Sequence, residues 1–293
     1  RRRHTRSCLK SRGLGDVYKR QGEDKHVRTL QAIFRRASVT QALLRCGTAG
    51  APVDQRTADR LARDGEAPGP VRHGCSGFHA ASILLSAHAG WSLDDYADPR
   101  HPSQLAVRAS VARLLARDPE EMITATDNCG LLTYEVSVLE LARAYLMLAD
   151  PDGPSVSGDR ESSAPALRRV RDAMMAAPEL VGGTYENLDT ELMRKRPGRI
   201  VAKSGAEGIQ AIGLVARDGR EASALAVKIE DGDMSRRATK AASVEALAQI
   251  GELDERDLRA LAEYHHPTVL GPAGDEAASA VPRFDLSGRE QDG

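Results

Sequence analysis

The chain has 293 residues, of which 41% are hydrophobic and 28% are charged, and its formal net charge is -1. A chain of this length can bury a large core. Its balanced charge argues against a nucleic-acid or anionic-membrane partner, and no apolar run is long enough to span a bilayer. Four cysteines in so long a chain do not indicate a disulfide framework. The composition therefore favours a cytoplasmic protein with reduced thiols.

Residues 1–21 differ from the rest of the chain because they are highly charged and show no periodic pattern of apolar residues. Their basic start is not followed by the apolar segment of a secretory signal. We predict that this segment is foreign or disordered, and we exclude it from the fold. The predicted domain comprises residues 22–271. Residues 272–293, which have few periodic apolar positions, form a predicted tail.

Apolar residues at helical spacing predict most elements of the first two thirds of the chain. In residues 134–148, for example, Val138, Leu141 and Tyr145 fall on one face, which we expect to point inward. Gly90 is placed to end the helix that follows Cys75. The predicted helices comprise residues 25–37, 76–89, 101–118, 134–148, 166–178 and 238–250.

Residues 198–231 change to the pattern of strands. Two alternating apolar runs flank Asp218-Gly219, a dipeptide typical of a tight hairpin turn. Residues 151–165, which are rich in Pro, Gly and Ser, predict a loop. The order of helices, an antiparallel hairpin and a final helix predicts an α+β fold, with helices packed on an antiparallel sheet. No glycine-rich phosphate-binding motif supports a nucleotide-binding fold.

The stretch HGCSGFH, residues 73–79, places Cys75 at the start of a predicted helix. The positive end of the helix dipole favours the thiolate, which is the form that binds metal or attacks a substrate. Ser76 and Gly77 allow the backbone to come close to a ligand. The alternative is that Cys75 is a small buried apolar residue and that the Ser-Gly pair only begins the helix.

The stretch TATDNCG, residues 124–130, contains Asp127 and Cys129 in a predicted loop. Together with Cys75 they are three plausible zinc ligands. The two cysteines are 54 positions apart, which is not a zinc-finger spacing. The sequence spacing therefore does not force them together.

The stretch IVAKSGAEG, residues 200–208, brings Lys203 to the end of a predicted strand before a glycine-rich turn. A lysine presented to a cleft can hold a carboxylate or activate a hydroxyl. Lys-Ser-Gly also resembles the third motif of serine β-lactamases. The alternative is an exposed edge-strand lysine. The Ser-x-x-Lys motif of those enzymes occurs only at residues 7–10, within the excluded segment, and we assign it no role.

Taken together, these stretches resemble the type II L-asparaginases of Rhizobium type, which are zinc-binding amidohydrolases with a serine β-lactamase/glutaminase-like fold. The family has Cys-Ser-Gly-Lys-His where residues 75–79 read Cys-Ser-Gly-Phe-His. It has Asp-Gly-Cys-Gly where residues 127–130 read Asp-Asn-Cys-Gly, and Ala-Lys-Gly-Gly-Ala-Glu-Gly where residues 202–208 read Ala-Lys-Ser-Gly-Ala-Glu-Gly. Further similar stretches are GWSLDDYADPRHPSQ, LDTELM and VKIEDGDMSRRA.

The resemblance implies a reaction and a set of residue roles. The reaction is hydrolysis of the side-chain amide of L-asparagine to aspartate and ammonia, with a serine attacking, lysines handling protons and zinc orienting the substrate. No nucleic-acid or membrane partner is expected, and the assembly could be a homodimer. The implied roles are metal binding by Cys75, Cys129 and Asp127, catalysis by Lys203, and substrate binding by His79, Gly205 and Glu207.

Two departures from the family pattern bear on activity. Phe78 stands where the family has a zinc-binding lysine, so zinc is expected to bind more weakly. Asn128 in place of glycine is a milder change, because asparagine tolerates left-handed backbone. The family's two serine motifs precede all of these stretches, and Gly22-Glu23 resembles the end of the second. We therefore expect this chain to be an N-terminally truncated copy that lacks the serine nucleophile.

Three hypotheses follow from the sequence. The chain is an incomplete copy of an asparaginase-like amidohydrolase, or it is a non-catalytic homologue that acts as a binding or regulatory protein. In the third, a pocket reshaped by Phe78 hydrolyses another small amide or peptide bond. Reading the DNA upstream of the Gly22 codon, and assaying amide hydrolysis with and without Phe78→Lys, would separate them.

Overall fold

The computed structural model describes residues 22–48, 51–233 and 236–286, and this part of the chain combines helices with small antiparallel sheets. The helices are α1 (Asp24–Arg36), α2 (Gln55–Asp64), α3 (Ser76–Ala89), α4 (Pro102–Leu115), α5 (Val138–Ala149), α6 (Ala164–Ala176), α7 (Pro178–Val181), α8 (Leu188–Lys195), α9 (Arg237–Gln249), α10 (Glu255–Ala260) and α11 (Ala262–His265). The strands are β1 (Thr124–Thr126), β2 (Leu132–Tyr134), β3 (Ile200–Ser204), β4 (Ile209–Leu214), β5 (Ser223–Lys228), β6 (Thr268–Leu270) and β7 (Glu276–Ser279). The predicted α+β class is confirmed.

The central sheet has the order β3-β4-β5, and both pairs are antiparallel. Alternate residues of β3 serve opposite faces, as the strand period requires. Ile200 packs with residues of α8 and α9 on one face, and Val201 packs with α5 on the other. Every residue of β4 is buried, because helices cover both faces of this strand.

The turn between β4 and β5 contains the expected hairpin dipeptide. Asp218 has φ 53° and Gly219 has φ 77°, so both residues occupy the left-handed region that a tight two-residue turn needs. Arg217 and Arg220 close the turn through a pair of backbone hydrogen bonds. The predicted hairpin is confirmed.

A second apolar cluster lies away from the central sheet and holds the amino-terminal helices together. It includes Leu30 and Phe34 from α1, Ile83 from α3, Tyr96 and Leu131. Three cysteines, Cys46, Cys75 and Cys129, belong to the same cluster. This cluster therefore positions the candidate metal ligands.

The predicted helices agree with α1, α3, α4, α6 and α9 to within a few residues at their ends. Gly90 ends α3 in the left-handed conformation, with φ 71°. The prediction of a helix from residue 134 is wrong at its start, because Tyr134 lies in β2. Ser137 and Glu140 form a capping box that sets the first turn of α5. Val138, predicted to point inward, is 46% exposed.

The segments predicted as loop and tail contain short regular elements. Two 3-10 turns, Pro154–Val156 and Gly158–Ser163, occupy the predicted loop 151–165. Strands β6 and β7 pair as a largely exposed hairpin, and β7 falls within the predicted tail. The segment 1–21, with its Ser-x-x-Lys motif, lies outside the described residues. Among the described helices, none combines the length and apolar character needed to cross a bilayer.

Candidate metal and amide-hydrolysis site

Cys75 is the residue immediately before α3, so its position is set by the start of that helix. Its backbone N–H donates a hydrogen bond to Nδ1 of His73, at 3.0 Å. Its carbonyl accepts the first hydrogen bonds of the helix, from the N–H groups of Phe78 and His79. Cys75 is fully buried. This burial agrees both with a role as a metal ligand and with the alternative of a small apolar core residue.

Asp127 and Cys129 lie in a tight turn between β1 and β2. The backbone N–H of Asp127 donates to the carbonyl of Leu131, at 2.8 Å, and the N–H of Gly130 donates to the carbonyl of Asp127. The N–H of Asn128 donates to Oδ1 of Asp127, at 2.6 Å. The left-handed residue of the turn is Gly130, with φ 93°. Asn128 is exposed and does not have a positive φ, so the replacement of glycine at this position does not require left-handed backbone.

The structure brings Cys75, Asp127 and Cys129 together, and we call these residues the thiol–carboxylate group. One ligand atom from each lies within 4.8 Å of the other two, and all three residues are buried. The Sγ of Cys129 lies 3.4 Å from Oδ2 of Asp127, so these two ligand atoms are in direct contact. The predicted proximity of the two cysteines is thus observed, despite their separation in sequence.

Cys129 and Cys46 belong to the same apolar cluster, but their thiol pKa values are shifted in opposite directions. The hydrogen bond with Cys75 is the main cause of a lowered pKa for Cys129, and the neighbouring imidazole of His79 lowers it further against the effect of burial. In contrast, burial raises the pKa of Cys46 to about 11. The thiolate that a metal requires is therefore favoured at Cys129 and disfavoured at Cys46.

Phe78 and His79 follow Cys75 in the first turn of α3. Phe78 is half-buried and packs against the apolar cluster of the three cysteines. His79 is fully buried, and its Nδ1 lies 2.7 Å from Oη of Tyr96. The other ring nitrogen, Nε2, has no hydrogen bond of acceptable geometry to any described residue.

Lys203 lies on β3 with only 3% of its surface exposed, so the alternative of an exposed edge-strand lysine is wrong. Its Nζ donates to the carbonyl of Ser204, at 2.7 Å, and lies 3.5 Å from Oδ2 of Asp189. These contacts fix the lysine against α8, which carries Asp189 and packs on β3. The ammonium group is thus buried beside a carboxylate.

Asp189 is a residue to which the sequence analysis gave no role, although it lies in the quoted LDTELM stretch. It is fully buried. Its Oδ2 accepts from both the backbone N–H and the hydroxyl of Ser204, each at 2.8 Å, and its Oδ1 accepts from Nε2 of Gln210, also at 2.8 Å. A buried carboxylate with this many donors holds the Lys-Ser-Gly strand end in place. The signal that could have found it is an acidic residue on the apolar face of a predicted helix.

A cleft of 290 Å³ opens beside this strand end. Its lining includes Ser204 and Gly205 but not Lys203, together with the cationic side chains Arg56 and Lys240. Burial lowers the pKa of Lys240, and the charge of Arg236 contributes to this effect. Lys203 was expected to face a cleft, but it does not line this cleft.

Gly205 and Glu207, both predicted to bind substrate, lie in the turn from β3 to β4. The N–H of Gly205 donates to the carbonyl of Ile209, at 2.8 Å. Glu207 has φ 56°, and its carbonyl accepts from Nζ of Lys228, at 2.7 Å. These contacts order the turn. Substrate binding by the two residues, and by His79, stays a prediction.

The fold and site define an α+β protein with a buried thiol–carboxylate group and, between β3 and α8, a buried lysine–aspartate pair. The family model of L-asparaginase II matches residues 20–282, and the chain belongs to that family. A search of curated proteins finds no match to the chain.

Proposed function

We propose that this chain carries the metal pocket and the catalytic-site lysine of an L-asparaginase-like amidohydrolase, which hydrolyses L-asparagine to L-aspartate and ammonia. The observation that carries the proposal is the membership of residues 20–282 in the L-asparaginase II family. The convergence of Cys75, Asp127 and Cys129 supports it. Cys75 lies 54 positions before Cys129 in the sequence, so its approach to the turn that carries Asp127 and Cys129 is a long-range feature of the fold.

We propose zinc as the metal, because the donor set fits it. Two thiols and one carboxylate are typical zinc donors, and the lowered pKa of Cys129 favours the deprotonated form that a metal needs. When bound, zinc would help to orient the substrate. The buried position excludes water, which strengthens every charge interaction at the site.

Lys203 is proposed to hold or transfer a proton during hydrolysis, with Asp189 as the residue that positions it. The 3.5 Å approach of Oδ2 of Asp189 to Nζ of Lys203 supports this assignment. Because Asp189 also binds Ser204 and Gln210, it links the lysine to the turn that follows β3. A serine β-lactamase-like arrangement, with helices on both faces of an antiparallel sheet, agrees with this placement.

Hydrolysis by this route also needs a nucleophile, which the family resemblance assigns to serine motifs that precede Gly22. We propose that these motifs are encoded upstream of the Gly22 codon in the natural gene. Sequencing the source DNA across this junction tests the point. An upstream frame that contains neither serine motif would contradict it.

The activity is tested by ammonia release from L-asparagine, with glutamine and a β-lactam as comparison substrates, in the protein with its natural upstream sequence. We expect release from asparagine, and a loss of about 100-fold or more for Lys203→Met, because general acid–base groups contribute about 10²–10⁴-fold. Lys195→Met, a lysine in the last turn of α8, is the matched control and should retain activity. Absence of release in the unmodified protein would overturn the proposal.

Phe78 favours a second candidate, a non-catalytic homologue that binds a small molecule or regulates a partner. Its ring offers no donor to the adjacent thiol–carboxylate group and packs into the apolar cluster instead. This candidate is supported if the natural protein releases no ammonia while Phe78→Lys does. Release with Phe78 in place counts against it.

We propose a cytoplasmic location on the basis of the three buried cysteines in the described part of the chain, none of which is disulfide-bonded. The proposed partner is the small substrate alone, and a homodimer is the proposed assembly. Sedimentation of the purified protein tests the assembly, and a single monomeric species at micromolar concentration would contradict it.

A further inference from the structure

The thiol–carboxylate group supplies three donors, whereas zinc in proteins takes four ligands. The group itself does not show where the fourth donor comes from. Phe78, in the same helical turn as Cys75, has no donor atom. The fourth position is therefore filled by water or by another buried side chain of this chain.

His79 has the position that such a ligand requires. It follows Cys75 by four residues, and its backbone N–H donates to the carbonyl of Cys75, at 3.1 Å. Residues at this spacing lie on the same face of a helix, one turn apart. Pairs of metal ligands on helices use the same spacing. The imidazole also neighbours Cys129, the second cysteine of the group. Its nitrogens do not belong to the set of ligand atoms that lie within 4.8 Å of one another, so binding zinc requires the ring to move toward the group.

The ring nitrogens of His79 differ in a way that points to a ligand. Nδ1 is held at 2.7 Å from Oη of Tyr96, while Nε2 is completely buried without a hydrogen bond of acceptable geometry to a described residue. A buried polar atom left in this state costs free energy unless something else satisfies it. A metal ion beside Cys129 would do so.

We propose that Nε2 of His79 is the fourth donor of a closed zinc site formed with the thiol–carboxylate group. This inference rests on the proposed zinc site and adds a ligand to it. Metal-binding histidines usually donate their second ring N–H to an oxygen, which fixes the ring and its tautomer. Tyr96 provides that oxygen, and its own position is fixed because Oη accepts the backbone N–H of Arg45, at 2.9 Å.

A closed site has a consequence for the role of the metal. With four protein donors, zinc has no open position for water, as is typical of structural rather than catalytic zinc. The metal would then hold the start of α3 against the turn between β1 and β2. It would shape the pocket wall without generating a nucleophile.

The test is X-ray absorption spectroscopy of the zinc-loaded full chain, which requires no substitution. We expect two sulfur ligands and the outer-shell scattering of one imidazole. Zinc bound by two sulfurs without imidazole scattering would overturn the inference and leave the proposed three-residue site intact. In that case His79 would act from outside the metal shell, donating Nε2–H toward Cys129. No zinc bound at all would overturn both.

Substitutions provide an independent readout, because zinc affinity can be measured by competition with a chromophoric chelator. We expect His79→Gln to weaken zinc binding by about 100-fold and to remove the imidazole scattering, and Tyr96→Phe to weaken binding by about 10-fold while the scattering remains. His265→Gln is the matched control, since His265 is also buried but bonds to Glu245 in the carboxyl-terminal part of the fold. Unchanged affinity in His79→Gln would contradict the inference.

Discussion

Replacement of Asp189 by asparagine is expected to destabilise the fold strongly. Asp189 accepts hydrogen bonds from the N–H and hydroxyl of Ser204 and from Nε2 of Gln210, and it faces Nζ of Lys203. An asparagine has one acceptor oxygen and one amide NH₂ group. Whichever way it turns, the NH₂ group meets a donor, and the buried ammonium loses its counter-charge.

The magnitude follows from the burial of both charges. The side chain of Asp189 is completely buried and that of Lys203 is 4% exposed, so solvent screening is slight. Removing one partner of a buried ion pair typically costs about 3–5 kcal/mol, and we expect Asp189→Asn to fall in this range. In the double variant Asp189→Asn/Lys203→Met, no buried ammonium remains. Part of the loss should therefore be recovered, with a coupling of about 1–3 kcal/mol.

The assay is urea denaturation of the wild type, both single variants and the double variant. Asp152→Asn is a matched control, because Asp152 likewise pairs with a cation, Arg168, but its side chain is 66% exposed. We expect a change below about 1 kcal/mol there. A loss below about 1 kcal/mol for Asp189→Asn, or a coupling indistinguishable from zero, would refute the reasoning about this carboxylate.

Two further predictions concern packing and pH. A Cβ at Gly213 would lie 2.6 Å from a backbone oxygen of α5, so Gly213→Ala should cost about 1–3 kcal/mol, while Gly69→Ala, with open space around it, should cost nothing in the same denaturation assay. The hydrogen bond from Lys25 holds the pKa of Glu179 below its usual 4.5, so this pair stabilises the fold above that pH and less as pH falls. Glu179→Gln should therefore lose about 0.2–1 kcal/mol at pH 7 and nothing in acid strong enough to protonate both states; an equal loss at both pH values would contradict this.

The parts of the fold that the sequence predicts well are those with local physical causes. Gly90 ends α3 because glycine adopts the left-handed conformation at little cost, and it does so in the structure. Asp218-Gly219 likewise forms the hairpin turn because its two residues tolerate positive φ. Cys75 is found at the start of a helix, as predicted, immediately before α3. Each of these elements needs only its immediate neighbours.

The parts that the sequence does not predict depend on distant contacts. Tyr134 has helical spacing with Tyr145, but pairing with Thr124 across the turn places it in β2. Lys203 is buried because α8 presents Asp189 to it. The pairing of β1 with β2 leaves no periodic signal in the sequence around Tyr134, and the packing of α8 on β3 leaves none around Lys203. Propensity therefore cannot decide these cases.

The candidate metal site depends both on local structure and on distant contacts. Its residues can therefore be identified from the sequence, whereas their spacing does not predict that they meet. Cys75 is fixed by the beginning of α3, and Cys129 by the turn from Asp127 to Leu131. Each half is set locally by backbone hydrogen bonds. The two halves then meet because both pack into the apolar cluster that contains Tyr96. A zinc finger depends on its metal to form this kind of contact. Here the apolar cluster brings the ligands together, so no short, fixed spacing between the cysteines is required.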